Sequence, residues 1–498
     1  MMTTAQTPAL TIPGPPAQLG GYLNLIKMVR DPIGEMGRLF STFGPLVNMA
    51  HGAKVRFLSS YPRTEGVVFV RGPELLRQIA TKSDIYHRYH LLGPLAPGNH
   101  ATRRQEPLRY FAAGLFDMNE GEHRRARRLM LPAFHRKRVE NYRDRMIALT
   151  QQLAAGWAPG ATVDLHHAMT ELTMQIVTSC LFGVDPHSSG EQIGRTIQHA
   201  MDVGFNPATL MVRYDWPGTS YSRFLDIVGQ IEDAMRRIIY EKRLGNSAGD
   251  DVLSMLMQAR DEEDGSMLSE HDLLGHAELL FIAGHETSSN ALSFTLLLLS
   301  QHPDICADLV DELTGVLGAD PPTVEQLREL PLLDRVIKES MRVLPPVPWN
   351  SRIAVAEDEL AGQKILPATE ILMSIYHTHH LAEIYPDPER FDPTRWEQHD
   401  YGIFEYNPFS GGPRMCIGAS FATMEIKLVL ATLLQRFRFE LVEGATVNRF
   451  VGPTMSLRPG LPMRVMPQDR QFQRGAGNLR GNLREMVHFP ASTSGRRH

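Results

Sequence analysis

The sequence predicts a mostly helical chain with a small β region. Three observations predict this. The stretch from Ser269 to about Ser300 is apolar almost throughout. It opens on the capping box Ser269-Glu270-His271-Asp272 and is stopped by Pro303, which makes a helix of about 48 Å. From about Val139 to Gly249 the chain reads as successive helices separated by polar turns, whereas strand-like runs such as Leu46–Met49 and Val67–Val70 are short. Composition excludes several classes: 43% hydrophobic and 21% charged residues describe a globular chain with a sizeable core, and a net charge of −5 gives no footprint for nucleic acid. Cys180, Cys306 and Cys416 show no paired spacing, which points to a reducing compartment rather than a disulfide framework.

Taken in order, residues 1–24 read as a flexible Pro/Gly-rich arm without a signal peptide or membrane anchor. Asp31-Pro32 opens a first helix carrying Ile33, Met36, Leu39 and Phe40. The two short strands follow, too far apart for a simple hairpin, and Gly72-Pro73 opens a helix to about Ala80. Residues 85–114 have poor periodicity. The strongly basic segment Gly121–Phe134 reads as a helix with His123 and Arg127 on one face, where a charge run is ordinarily a solvated surface. Asn206–Ser222 breaks the helical run as an interhelical loop or a lid. The middle of the long helix holds Ala283-Gly284-His285-Glu286-Thr287. Glycine, an acid and an alcohol are locally unfavourable in a buried helix, and sequence rules tend to be broken at functional sites. Pro331–Leu344 is a further helix with Glu339 and Arg342 three apart, a pair that is common and weak on exposed helices. Gln468–His498 holds six Arg against one Asp and one Glu and reads as a disordered tail.

The most specific stretch is Phe409-Ser410-Gly411-Gly412-Pro413-Arg414-Met415-Cys416-Ile417-Gly418. A cysteine at the mouth of the helix from Ala419 has its thiolate favoured by the helix dipole. Gly411, Gly412 and Gly418 allow close approach of a flat ligand, and Arg414 suits a carboxylate. A buried structural cysteine or a protease-type nucleophile are the other readings; no nearby His is offered as a base for the latter.

This loop resembles the haem-binding loop of the cytochrome P450 family, F-x-x-G-x-R-x-C-x-G, in which Phe409, Gly412, Arg414, Cys416 and Gly418 fill every defined position. The resemblance spans about residues 25–467 and implies the mostly helical prism of that family with a smaller β-rich part. It implies heme b (iron protoporphyrin IX) with Cys416 as the iron ligand. Its propionates would be met by His123, Arg127, Arg352 and Arg414. Ala283–Thr287 matches the family's A/G-G-x-D/E-T signature, which makes Thr287 and Glu286 the oxygen-activating, proton-relaying pair. Glu339, Arg342 and Arg395 match the brace beneath the loop. Arg395 fits because Phe391-Asp392-Pro393 precedes it, and the look-alike Arg390 is coincidental. Ala283, Val347, Trp349 and Met455 match substrate-pocket positions, residues 85–114 the variable loop above the haem, and Arg124, Arg125 and Arg128 a docking face for a ferredoxin- or flavodoxin-type donor. The implied function is insertion of one oxygen atom from O2 into a small apolar substrate (fatty acid, terpenoid, steroid or polyketide). The implied setting is a cytoplasmic, bacterial-type enzyme with separate electron donors. A peroxygenase or desaturase on the same scaffold, and a non-catalytic haem-thiolate binder, are the rival readings.

Overall fold

The computed structural model describes residues 12–61, 63–90, 92–95, 101–111, 113–185, 191–245, 249–472 and 479–489. The long helix runs Glu270–Gln301, 32 residues. Its capping box forms in both directions: Ser269 Oγ accepts from the Asp272 N–H at 3.0 Å, and Asp272 Oδ2 accepts from the Ser269 N–H at 3.3 Å. This helix is the axis of the core. It packs against the helices Leu165–Phe182, Pro331–Val343 and Ala419–Leu434 and against the turn Gly114–Phe116. Gly284 permits one close approach, since a Cβ there would lie 3.0 Å from Val177 Cγ2. No helix among the described residues is long and apolar enough to cross a membrane.

The β region is separate and small. Its main sheet has five strands in the order Leu46–Asn48, Gly66–Val70, Thr369–Ser374, Trp349–Ala354, Tyr86–His87. Only the Gly66–Val70 and Thr369–Ser374 pair is parallel, with Phe69 opposite Leu372. Both strands are buried along their whole length; Gly66–Val70 accordingly reads as a continuous apolar run, whereas Thr369–Ser374 also buries Glu370, whose carboxylate accepts from the Phe57 and Leu58 N–H groups at 3.0 and 2.8 Å. A hairpin of Asn448–Val451 and Met455–Arg458 brings its tip toward the long helix.

Both chain ends depart from the sequence expectation. The arm expected through residue 24 is packed from residue 12. Ile12 is fully buried, and the Pro13 and Pro15 carbonyls accept from the Asn48 and His51 N–H groups, each at 2.8 Å. The helix Tyr22–Arg30 follows directly. Residues 479–489 of the expected tail are likewise folded onto the body. Leu479, Leu483, Met486 and Val487 are buried, Val447 N–H donates to Arg480 O at 2.9 Å, and Arg449 pairs with Glu485 at 2.9 Å. Four apolar side chains in a short segment outweigh the average polarity of the tail. In the break between the helices Glu191–Gly204 and Ser220–Leu244, Pro207–Met211 forms one further short helix. Beyond its end Tyr214 and Trp216 project outward, 76% and 72% exposed.

Candidate active site

The cysteine loop is closed by its own backbone. Cys416 N–H donates to Phe409 O at 2.9 Å, Met415 N–H to Gly412 O at 3.1 Å, and Ser410 N–H to Asn407 O at 2.9 Å. Two of its glycines have reasons other than a ligand. Gly412 sits at φ +69 with Ala80 O 3.0 Å from where a Cβ would be, and a Cβ on Gly411 would meet the Phe404 ring at 2.8 Å. Gly418 is the one whose Cβ would fill space in front of the thiol, 4.0 Å from Sγ. Cys180 and Cys306 are buried, and burial pushes the Cys306 thiol up to about 12 and Cys180 further. Cys416 differs: it carries accessible surface although protein surrounds it, so the thiol faces an internal space. The expected lowering by the helix dipole does not dominate there. Burial raises the thiol, offset in part by the Gly418 N–H and the Arg127 charge, so metal ligation itself has to hold the thiolate.

Around this loop the chain gathers cations. Arg127 Nη1 donates to Met415 O at 2.8 Å, inside the loop itself. Arg414 Nη2 donates to Asn119 Oδ1 at 2.8 Å. His123 is buried beside Arg414, Arg127 and Arg352, and burial with those charges brings it down to about 3, so it is neutral. Arg352 is 1% exposed, and its Nη2 has no hydrogen-bond partner. A fifth member, Arg88, is not evident in the sequence, because it lies in the aperiodic stretch after Tyr86–His87. Its backbone N–H donates to Asn119 Oδ1 at 2.8 Å, its Nη2 donates to Asn350 Oδ1 at 2.9 Å, and burial and Arg414 lower it to about 9. Burial and Arg127 likewise lower Arg414, to about 10. Among the described residues none of Arg88, Arg127, Arg352 and Arg414 has a carboxylate at ion-pair distance. Arg88 and Arg352 are buried guanidinium groups without counter-ions, which is costly, and a flat dianionic ligand beside the thiol would satisfy them together with the half-buried Arg127 and Arg414. These residues therefore fit a haem with two propionates.

On the long helix, flanking residues are buried while Ala283 is exposed and Gly284, Glu286 and Thr287 are half-buried, so its middle borders open space. Thr287 Oγ1 donates to Ala283 O at 2.9 Å, the back-bond of a helical threonine. Glu286 is not joined to it: the carboxylate accepts from Thr454 Oγ1 at 2.7 Å, on the hairpin tip. Buried His285 faces away, with Nδ1 2.7 Å from Phe281 O. Trp349 and Met455, expected in the pocket, are enclosed in the core at 5% and 0% exposure, and Val347 and Ala283 keep accessible surface. Met455 is held by its own strand pairing and by Pro346 O, which leaves the preceding Thr454 to reach the helix.

Below the loop, Glu339 and Arg342 are fully buried and paired through two bonds of 2.9 Å, and Arg395 Nε donates to Glu339 Oε1 at 2.9 Å. Trp396 Nε1 and the Asp392 N–H complete the carboxylate, each at 3.0 Å, and Arg342 also donates to the carbonyls of His379 and Pro388 at 2.8 Å. Arg390 contributes only its carbonyl; its side chain is exposed. His379, which sequence reading missed, carries the brace onward: its Nε2 accepts from the Asn407 N–H at 3.0 Å, just before the cysteine loop.

The expected donor face is altered. Arg128 is bidentate to Asp261 at 2.9 Å and reaches Glu263 at 2.8 Å, while Arg125 donates to Ser266 Oγ at 2.6 Å. An acidic turn far away in sequence thus neutralises two of the three arginines. Arg124 stays exposed and shares a groove of about 760 Å³ with Leu131, Lys137, Arg138 and Pro413.

Comparison with known proteins agrees with this geometry. The family model described as Cytochrome P450 matches residues 13–466. Cyclooctat-9-en-7-ol 5-monooxygenase of Streptomyces melanosporofaciens is 30% identical over 83% of this chain and 91% of its own. Pentalenene oxygenase of Streptomyces avermitilis is 29% identical over 85% of this chain and 90% of its own. The solved retinoic acid-bound cyanobacterial CYP120A1 superposes with a TM-score of 0.77, at 24% identity, over 92% of this chain and 100% of that one.

Proposed function

Since the chain belongs to the cytochrome P450 family of monooxygenases, we propose that it uses heme b and separate iron–sulfur or flavin donors to oxygenate a cyclic, terpenoid-like hydrocarbon or alcohol. The observation that carries the haem assignment is the ring of uncompensated cations, Arg88, Arg127, Arg352 and Arg414 with neutral His123, around the one accessible cysteine. Two relatives named for cyclooctat-9-en-7-ol and for pentalenene support the substrate class.

Each residue then has a physical task. Cys416 is the metal ligand, held by its loop bonds. Arg127 and Arg414, tied to Met415 O and Asn119, would hold the propionates together with Arg88 and Arg352. Haem, when bound, supplies the O2-reducing chemistry, with electron donation from the thiolate. Thr287 presents a hydroxyl at the open middle of the long helix, where it can hold a proton near the reacting oxygen, and Glu286 replenishes that proton. Val347 and Ala283 border the substrate. The groove with Arg124, Lys137 and Arg138 is the docking face for an acidic donor, with Arg128 in its wall and both Arg125 and Arg128 already engaged by Asp261.

The test is spectroscopic. The reduced CO complex absorbs at about 450 nm, as thiolate ligation requires, and Cys416→Ala protein lacks that band; retention of it overturns the assignment. Cyclic terpenes and terpene alcohols produce a haem spin-state shift at micromolar concentration. A panel in which only straight-chain fatty acids do so removes the substrate class.

A further inference from the structure

Glu286 has a neighbour that the monooxygenase reading does not require. Thr454 sits in the turn between Val451 and Met455, which face each other in the hairpin register. The turn is fixed at both sides: Gly452 N–H donates to Thr454 O at 2.9 Å, and Met455 N–H donates to Pro346 O at 2.8 Å. From this fixed point Thr454 Oγ1 reaches Glu286 at 2.7 Å. A hydroxyl donating to a carboxylate is charge-assisted and directional, so it sets the rotamer of the acid.

That rotamer points Glu286 into a cavity of about 580 Å³, which Ser289, Thr170, Gln198, Asp202 and Arg458 also line. The cavity has polar and apolar walls in about equal measure and is large enough for many waters. At its outer rim Asp202 and Arg458 lie 3.5 Å apart and half exposed. On its inner side the Ser289 hydroxyl donates to Glu286 O at 2.9 Å, and His166 Nδ1 lies 3.1 Å from Ser293 Oγ. The charged and titratable groups that line the cavity with Glu286 are therefore His166, Asp202 and Arg458; His285, next to it on its own helix, is turned away to Phe281 O. Thr287, meanwhile, spends its hydrogen on Ala283 O. The acid and the alcohol are adjacent in sequence and turned to different partners.

We propose that Thr454 is a positioning residue. It holds the Glu286 carboxylate at this cavity, where water can deliver a proton to it. This rests on the monooxygenase reading for its purpose, but the contact itself can be tested without turnover.

The experiment uses the full-length ferric protein with haem bound, as wild type, Thr454→Val and Thr454→Ser. The infrared band of Glu286 is identified by difference against Glu286→Gln. Valine keeps the shape of threonine without the hydroxyl, so Thr454→Val shifts the Glu286 band, and Thr454→Ser returns it to the wild-type position. In turnover, Thr454→Val changes product formed per electron pair by about three- to tenfold and displaces its pH dependence, and serine again restores both. An unmoved band in Thr454→Val, or serine failing to restore it, overturns the proposal. Failure of the monooxygenase reading is read separately, in the CO band, and leaves the infrared comparison unaffected.

Discussion

The two sides of the haem site are built on opposite principles. Beneath the cysteine loop, Glu339 is fully buried and receives four donors: Arg342, Arg395, Trp396 and the Asp392 backbone. Across from it, the acid of the long helix is half-buried and held by one hydroxyl, and the neighbouring threonine is satisfied by its own helix. A saturated network rigidifies, because moving any member strands the others in low dielectric. A single tether in contact with water can be exchanged for another partner at little expense. Under the proposed function, the contrast separates a side that must hold the thiolate still from a side where protons must travel.

The comparison breaks most easily at Glu339. Glu339→Gln keeps the shape and leaves two buried guanidinium groups without their counter-ion, which costs about 3–5 kcal/mol. Little soluble protein, or a thermal midpoint far below wild type, is the expected outcome. Arg342→Lys fails in the same way, because an ammonium cannot reproduce two parallel bonds to Glu339 while also reaching the carbonyls of His379 and Pro388. A near-native midpoint for either variant would make the two sides equivalent.

Between the sides lies Glu425, on the helix that follows the loop. It is fully buried, and burial raises its carboxyl from 4.5 to about 8, with the Ser288 hydroxyl of the long helix opposing. An acid raised in the folded state remains protonated where the unfolded chain has ionised. Stability therefore falls as pH climbs from 4.5 toward about 8 and levels off above that. Glu425→Gln removes this dependence. Its advantage over wild type should be near zero at the acid end and about 5 kcal/mol at the alkaline end. Thermal midpoints measured at both ends of the range decide it: a gap that does not change with pH means Glu425 is not held neutral.

At the rim, Arg88→Met retains the stem and deletes the charge. One charge-assisted bond to a propionate is worth about 1.5–3 kcal/mol, so haem affinity should weaken about tenfold or more. The protein without haem should gain stability, since a buried and unpaired cation is gone. Haem transfer to an acceptor protein measures the first effect, and unfolding of haem-free protein the second.

What was legible in the sequence was whatever depends on local spacing. Cys416 with its glycines, the Ala283–Thr287 interruption and the capping box at Ser269 are each set within a few residues, and the mostly helical fold follows from long apolar periodicity. What could not be read depends on distant segments meeting. Arg88 becomes a cofactor candidate only because Asn119, Asn350 and Arg414 converge on it. Arg125 and Arg128 stop being free charges only because Asp261 folds against them. Thr454 is an ordinary turn residue until the hairpin is laid on the long helix, and Leu483 and Met486 are lost in the average polarity of the tail until their burial is seen.

The smallest effect on folding and the sharpest on chemistry should coincide at Thr287. Its hydroxyl is back-bonded to Ala283 O, an arrangement that slightly disfavours the helix, and alanine has the higher helix propensity. Thr287→Ala should therefore leave the thermal midpoint unchanged or raise stability by a few tenths of a kcal/mol, the reverse of Glu339→Gln. Electron use should continue while product per electron pair drops several-fold, because the hydroxyl that holds the proton is gone and Glu286 faces away. Thr287→Ser should recover most of the coupling. Unchanged coupling in the alanine variant would remove Thr287 from the proton route. A destabilisation above about 1 kcal/mol would show the open middle of the helix to be braced like the far side, and the contrast between the two sides would fall with it.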